Sequence, residues 1–175
     1  MLQIATLGGG CYWCLEAFFQ RVVGIEKVVS GYSGGHVDSP TTQRVYEGDT
    51  GHAEVVQLSF DASKISYEEI LEIFFVMHDP TTLNRQGNDV GDEYRSIILY
   101  SDDEQKLIAE RMIKEFAAPL YPGDIVTELV PLVVFWPAGD EMQNFYNDNP
   151  NSGYCLAVID PKIQKLRQKF ASKLK

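Results

Sequence analysis

The chain predicts an α+β fold: a ferredoxin-like split βαβ core in a two-layer sandwich, with a long C-terminal wrap. Three observations carry this expectation. Up to Tyr100 the patterns read strand, helix, strand, strand, helix, strand, the order of that layout. Capping boxes at Ser66 and Ser101 open two of the helical stretches independently of their hydrophobic pattern. The segment after the last strand has no repeat, low-complexity tract or linker that would set it apart as a second unit. With 175 residues and a hydrophobic share of 45%, a single domain spanning residues 1–175 can bury a sizeable core.

The elements follow in order. Residues 2–7 form a short strand. A helix runs from about Tyr12 to Val22, with Leu15, Phe18, Phe19 and Val22 on one side, and Gly24 stops it. Ile25 to Tyr32 is a second strand. A Gly/Ser/Pro-rich loop over Ser33–Pro40 leads to one helical turn from Thr41 to Tyr46. Ala53 to Phe60 alternates clearly as a strand. Ser66-Tyr67-Glu68-Glu69 opens a helix that reaches about Met77. Residues 79–93 form a long polar loop, and Tyr94 to Tyr100, rich in Ile and Tyr, is a strand. Ser101 to Glu104 opens a helix to about Ala117. Val126 to Val130 is a last strand. A short helix near Asp140–Asn147, a polar loop to Cys155 and a terminal helix announced by Asp160-Pro161 complete the chain.

Lys plus Arg number 15 against 25 Asp plus Glu, a formal charge of −10, which argues against general affinity for nucleic acid or anionic membranes. The N-terminus has neither a basic region nor a signal-length apolar run. The longest apolar stretch, Leu129–Ala138, is too short to span a bilayer. These features lead us to expect a cytoplasmic chain. Three cysteines are too few and of the wrong parity for a secreted disulfide framework. In a reducing compartment they suit redox or nucleophilic chemistry better.

Cys11 is the leading candidate for that chemistry. It stands where Gly8-Gly9-Gly10 meets the first helix, flanked by Tyr12 and Trp13. A helix N-terminus offers unpaired N–H groups and the positive end of the dipole, so a thiol there is expected to ionise more easily. The other reading is a small buried core residue. Glu54 is second. Strand alternation points it the same way as Val56, Leu58 and Phe60, away from Ala53, Val55, Gln57 and Ser59. A carboxyl on an apolar face is desolvated or paired; desolvation raises its pKa and would make it a general acid. The third candidate is the loop Asn84–Tyr94, long and rich in hydrogen-bonding side chains, which is either functional or simply solvated. Cys155 lies in a turn-forming, mobile stretch from which a thiol could swing to another sulfur. Cys14 follows Cys11 by three residues and shares its helix face. That pair could make a redox disulfide or half a metal site, but His36, His52 and His78 show no paired ligand spacing, so no metal is expected.

Together these residues resemble the peptide methionine sulfoxide reductase A family. The resemblance rests on Gly10-Cys11-Tyr12-Trp13-Cys14, on Gly51-His52-Ala53-Glu54-Val55, on the run from His78 to Gly87, on Asp89 to Tyr94-Arg95-Ser96, and on Asn149-Pro150 with Gly153-Tyr154-Cys155. These blocks cover most of the chain in order. The resemblance implies that Cys11 attacks the sulfoxide sulfur while Glu54 protonates its oxygen. It also implies that Asp89 and Tyr94 orient and polarise that oxygen, and that Tyr12 and Trp13 hold the S-methyl group. Cys11 would become a sulfenic acid, Cys155 would resolve it to a disulfide, and thioredoxin-like partners would reduce that disulfide. The substrate would be the S epimer of methionine sulfoxide, free or in proteins, handled by a monomer with no bound metal or cofactor.

Three departures qualify the match. Tyr12 replaces the usual phenylalanine and brings a hydroxyl that needs a partner. Cys14 replaces the usual glycine and is an alternative resolving thiol. Thr42 stands where a tyrosine is usual, so one hydroxyl of the oxygen-binding set is missing or comes from elsewhere; Tyr46 is nearby in sequence. Two other classes stay open on the residues alone. A dithiol–disulfide oxidoreductase built on Cys11 and Cys14 would not need Glu54. A non-catalytic module that recognises oxidised methionine through its aromatic pair would not need the thiol.

Overall fold

A computed structural model describes residues 1–175. A six-stranded sheet runs in the order β7-β6-β1-β3-β2-β8. Its strands are β1 (Leu2–Gly8), β2 (Ile25–Ser33), β3 (Ala53–Asp61), β6 (Ile97–Tyr100), β7 (Glu128–Pro131) and β8 (Phe135–Pro137). A two-residue pair, β4 (Arg85–Gln86) with β5 (Asp89–Val90), stands apart. The helices are α1 (Tyr12–Phe19), α2 (Thr42–Glu47), α3 (Tyr67–Met77), α4 (Asp103–Met112), α5 (Ala118–Leu120), α6 (Phe145–Asp148) and α7 (Asp160–Phe170).

The inner strands β6, β1, β3 and β2 are all antiparallel, and β3 lies between β1 and β2, the two strands that α1 connects. The sheet goes beyond four strands at both edges. β7 adds parallel to β6, and β8 adds antiparallel to β2. One face, with Leu7, Val56, Leu58 and Phe60, packs under α1 and α3 in a core that includes Phe18, Phe19, Phe74 and Phe75. The other face is not open. Ala53, Val55, Ile97 and Leu99 are buried there against Val130, Leu132 and Phe135.

Several boundaries differ from the sequence expectation, each for a local reason. α1 ends at Phe19 because Val22 leaves the helix to bridge Leu174. Tyr94 closes a 3₁₀ turn over Asp92–Tyr94, and β6 begins only at Ile97. The cap of α4 is Asp102 rather than Ser101, because the Asp102 carboxylate accepts from the Gln105 N–H. The expected helix to Ala117 is α to Met112 and then a wider π turn over Ile113–Ala117. β8 lacked any alternation to announce it, being three residues inside an apolar, proline-flanked stretch. The polar loop hides the β4–β5 hairpin, turned by Gly87-Asn88.

Candidate active site

Cys11 is the N-cap residue of α1, with extended backbone at φ −65° and ψ 130°. The first free N–H of the helix, that of Tyr12, donates to Glu54 Oε1 at 3.1 Å, while the Cys11 side chain makes no full capping hydrogen bond. The helix start therefore holds a thiol and a carboxyl side by side, from positions far apart in sequence. Gly10 makes the approach possible. It adopts φ +89°, and a Cβ there would come within 2.7 Å of Gln86 Cγ. Gln86 in turn clasps Asp79 through its N–H and C=O, both at 2.9 Å. The Gly10 N–H donates to Tyr94 O at 3.1 Å, so the 79–94 segment is tied directly to the residue before Cys11.

Glu54 behaves as strand alternation demands. It is 1% exposed on the face that carries Val56, Leu58 and Phe60. Burial pushes its pKa up to about 8, against the Tyr12 N–H and with help from the nearby Glu93 and Asp89 carboxylates. Cys11 departs from expectation. Instead of ionising more readily, its thiol is pushed well up, chiefly by burial, and further by Glu54 and Cys14. The Trp13 N–H and the Tyr154 hydroxyl pull the other way and lose. A helix terminus lowers a thiol's pKa only where solvent still reaches the sulfur, and here burial outweighs it.

The remaining residues gather around this pair. Tyr154 donates to Asp89 Oδ2 at 2.9 Å, and its oxygen lies 3.6 Å from Cys14 Sγ. Trp13 stacks on Phe145 with ring centres 3.6 Å apart and meets Tyr154 edge-on at 5.7 Å. The Tyr94 side chain lies among Glu54, Tyr46, Cys11 and Asp89. Beyond Asp89 and Tyr154, a cleft of about 480 Å³ extends along Gln86–Asp89 and Ala157–Lys162. A cleft of 320 Å³ between Gly34–Asp38 and Val130–Trp136 holds none of these residues.

The departures find physical explanations. Tyr12 is fully buried, and its hydroxyl lies 2.8 Å from that of Tyr32, which lies 2.8 Å from Thr42 Oγ1. The extra hydroxyl and the short residue at position 42 are thus joined in one chain, and Thr42 spends its hydroxyl on Tyr32. Cys155 is not in a mobile loop. It is fully buried at the start of a π turn over Cys155–Ile159 that runs into α7, and its N–H donates to Ser152 Oγ at 3.2 Å. The turn-forming residues before it, Asn149–Gly153, stay largely exposed, and burial begins with Tyr154, which packs edge-on against Trp13. All three cysteines are free thiols. His52 and His78 are held by backbone and serine partners, and no group of three or more His, Cys, Asp or Glu converges as a metal site. Tyr154 and Tyr32 also belong to this surround and were not singled out from the sequence, while Tyr46 entered only as a neighbour of Thr42. Tyr154 adjoins Cys155, and Tyr46 is one turn from Thr42 on a predicted helical turn; those spacings were the available signals.

A family profile described as peptide methionine sulfoxide reductase matches residues 3–174. The chain is 56% identical to the peptide methionine sulfoxide reductase MsrA of Sulfolobus acidocaldarius over 172 residues, covering 98% of this chain and 97% of the relative. Among solved structures, reduced Mxr1 from Saccharomyces cerevisiae superposes with a TM-score of 0.76 at 32% identity, over 88% of this chain and 89% of that one. Mxr1 in complex with Trx2 matches with a TM-score of 0.52 at 25% identity, over 82% and 84% of the two chains.

Proposed function

The chain belongs to the peptide methionine sulfoxide reductase family and is an oxidoreductase that reduces methionine sulfoxide; we propose that it takes the S epimer, free or within proteins, by thiol catalysis at Cys11. The observation that carries this reading is the N-terminus of α1, where the Cys11 sulfur lies beside the buried Glu54 carboxyl, which accepts the Tyr12 N–H.

In this reading Cys11 sulfur attacks the sulfoxide sulfur. Glu54, protonated at neutral pH, delivers its proton to the oxygen and takes up the proton the thiol gives away. The S=O bond breaks and the hydroxyl ends on Cys11, giving methionine and a sulfenic acid. The substrate sulfur is reduced and the Cys11 sulfur oxidised. Trp13 and the buried Tyr12 wall the S-methyl group, and Asp89 with Tyr94 orients the oxygen. Cys155 then attacks Cys11, forming a disulfide and expelling water. Both thiols border one core cluster, so the step requires the Asn149–Cys155 segment to loosen. A thioredoxin dithiol takes over the disulfide by exchange, as the complex of the yeast relative with Trx2 suggests for this chain. The reaction needs no bound cofactor, and the reading takes the chain as a cytoplasmic monomer.

The test is one turnover on a racemic methionine sulfoxide without reductant, followed by chiral analysis and disulfide mapping. The expected result is loss of the S epimer alone and a Cys11–Cys155 link. Consumption of the R epimer would overturn the stereochemical assignment. A Cys11–Cys14 link alone would move the resolving role to Cys14. Cys11→Ser must abolish turnover.

A further inference from the structure

We propose that the hydroxyl of Tyr46 is a second hydrogen-bond donor to the sulfoxide oxygen, acting with that of Tyr94 across Glu54. This rests on the reading of the site given above. The placement begins with α2, capped by Thr41 and ended by Gly48 in the left-handed region at φ 78°. Thr42 Oγ1 lies 2.8 Å from the Tyr32 hydroxyl, and Tyr32 pairs in register with Glu54 across β2 and β3. The face of α2 that bears Thr42 therefore lies over the end of the strand that carries Glu54. Tyr46 is one helical turn further on that same face. Its side chain falls among Glu54, Cys11, Tyr32 and Asp89, and three of these groups, Glu54, Cys11 and Asp89, also surround Tyr94.

What Tyr46 does not touch is equally informative. The hydroxyls of Tyr12, Tyr32, Tyr121, Tyr146 and Tyr154 all bond to protein atoms. Those of Tyr46, Tyr67, Tyr94 and Tyr100 make no bond within the protein, and of these four only Tyr46 and Tyr94 lie beside Glu54 and Cys11. Burial and the surrounding anionic groups hold both phenols well above their ordinary range, so both stay protonated and serve as donors at any working pH. As Cys11 attacks, negative charge gathers on the sulfoxide oxygen. Two fixed O–H dipoles aimed there stabilise that charge with no bond broken at either tyrosine. The ring of Tyr46, 48% exposed, forms the outer rim of the site.

The experiment is the single-turnover rate of methionine formation by the reduced full chain at saturating sulfoxide, for Y46F and Y46L. Loss of one such donor, with Tyr94 and Glu54 intact, is expected to slow the step by about 10- to 100-fold in Y46F, and Y46L should be little slower. Alkylation of Cys11 by iodoacetamide should stay within about twofold of wild type, which a disturbed helix start would not allow. A Y46F rate within about twofold of wild type overturns the proposal, as does a loss confined to Y46L, which would assign the effect to the ring. A shift in Cys11 alkylation that parallels the rate loss also overturns it. Cys11→Ser, run alongside, separates the two levels. If that variant is inactive and Y46F is unaffected, only the role of Tyr46 fails; if it turns over, the reading of the site fails as well.

Discussion

Replacing Glu54 by glutamine should make the protein more stable and nearly inactive, and the stability gain should depend on pH in a defined way. The buried carboxyl keeps its proton up to about pH 8, while in the unfolded chain it ionises near 4.5. The folded state thus holds a proton that the unfolded state gives up. Below about 4.5 both states are protonated and the residue costs nothing; as pH rises from there the fold loses ground at about 1.36 kcal/mol per pH unit, until about pH 8. At pH 7 wild type is then about 3 kcal/mol less stable than the same fold with a neutral isostere, and above pH 8 about 5 kcal/mol less. The amide oxygen of the introduced glutamine can keep the bond from the Tyr12 N–H, so the comparison is close to isosteric. The assay is denaturant unfolding of both proteins from about pH 4 to 9, read as the difference between them, so that every other titrating group cancels. A difference that does not change with pH would refute the argument, because it would mean that Glu54 is already ionised in the folded protein. The same variant should lose the chemical step, since it has no proton to give.

Three further predictions follow the same geometry. The wild-type single-turnover rate should fall about tenfold per pH unit above roughly pH 8, where Glu54 loses its proton, and stopped-flow rates across that range will show whether it does. Gly10→Ala forces a side chain into a left-handed backbone position against Gln86; we expect a cost of about 1–3 kcal/mol by denaturation and a collapse of kcat/KM, and a fully active, equally stable variant would contradict this. Tyr154→Phe removes the donor to Asp89, so kcat/KM should drop about tenfold with the fold intact by circular dichroism; unchanged kinetics would show that Asp89 does not depend on that bond.

Much of this site was legible because its key placements are local. Alternation alone put Glu54 on the core face, and the glycine run followed by an apolar helix put Cys11 at an N-cap. The protonation of Cys11 was not legible, because it is decided by burial and by Glu54, whose approach depends on how β3 lies against α1. Cys155 was misread for a related reason. Asn, Pro, Ser and Gly before it describe a turn, and that turn is largely exposed, but Cys155 itself opens the π turn that docks in the core with Ile159, and such packing carries no local signal. The hydroxyl missing at position 42 was noticed as a gap; that Tyr12, Tyr32 and Thr42 form one chain needed the register of β2 on β3. β8 is a tertiary product outright, held by Gly31–Ser33 rather than by any pattern in Phe135–Pro137.

The ring of Trp13 lies flat on Phe145 and edge-on to Tyr154, the residue just before Cys155. Any excursion that carries Cys155 toward Cys11 must take Tyr154 off that indole. The other tryptophan, Trp136, sits in β8 on the far side of β2. The proposed Cys11–Cys155 disulfide would therefore have a built-in optical gauge: the emission of Trp13 should shift when it closes and return when it opens, so redox cycling could be followed in real time without a label.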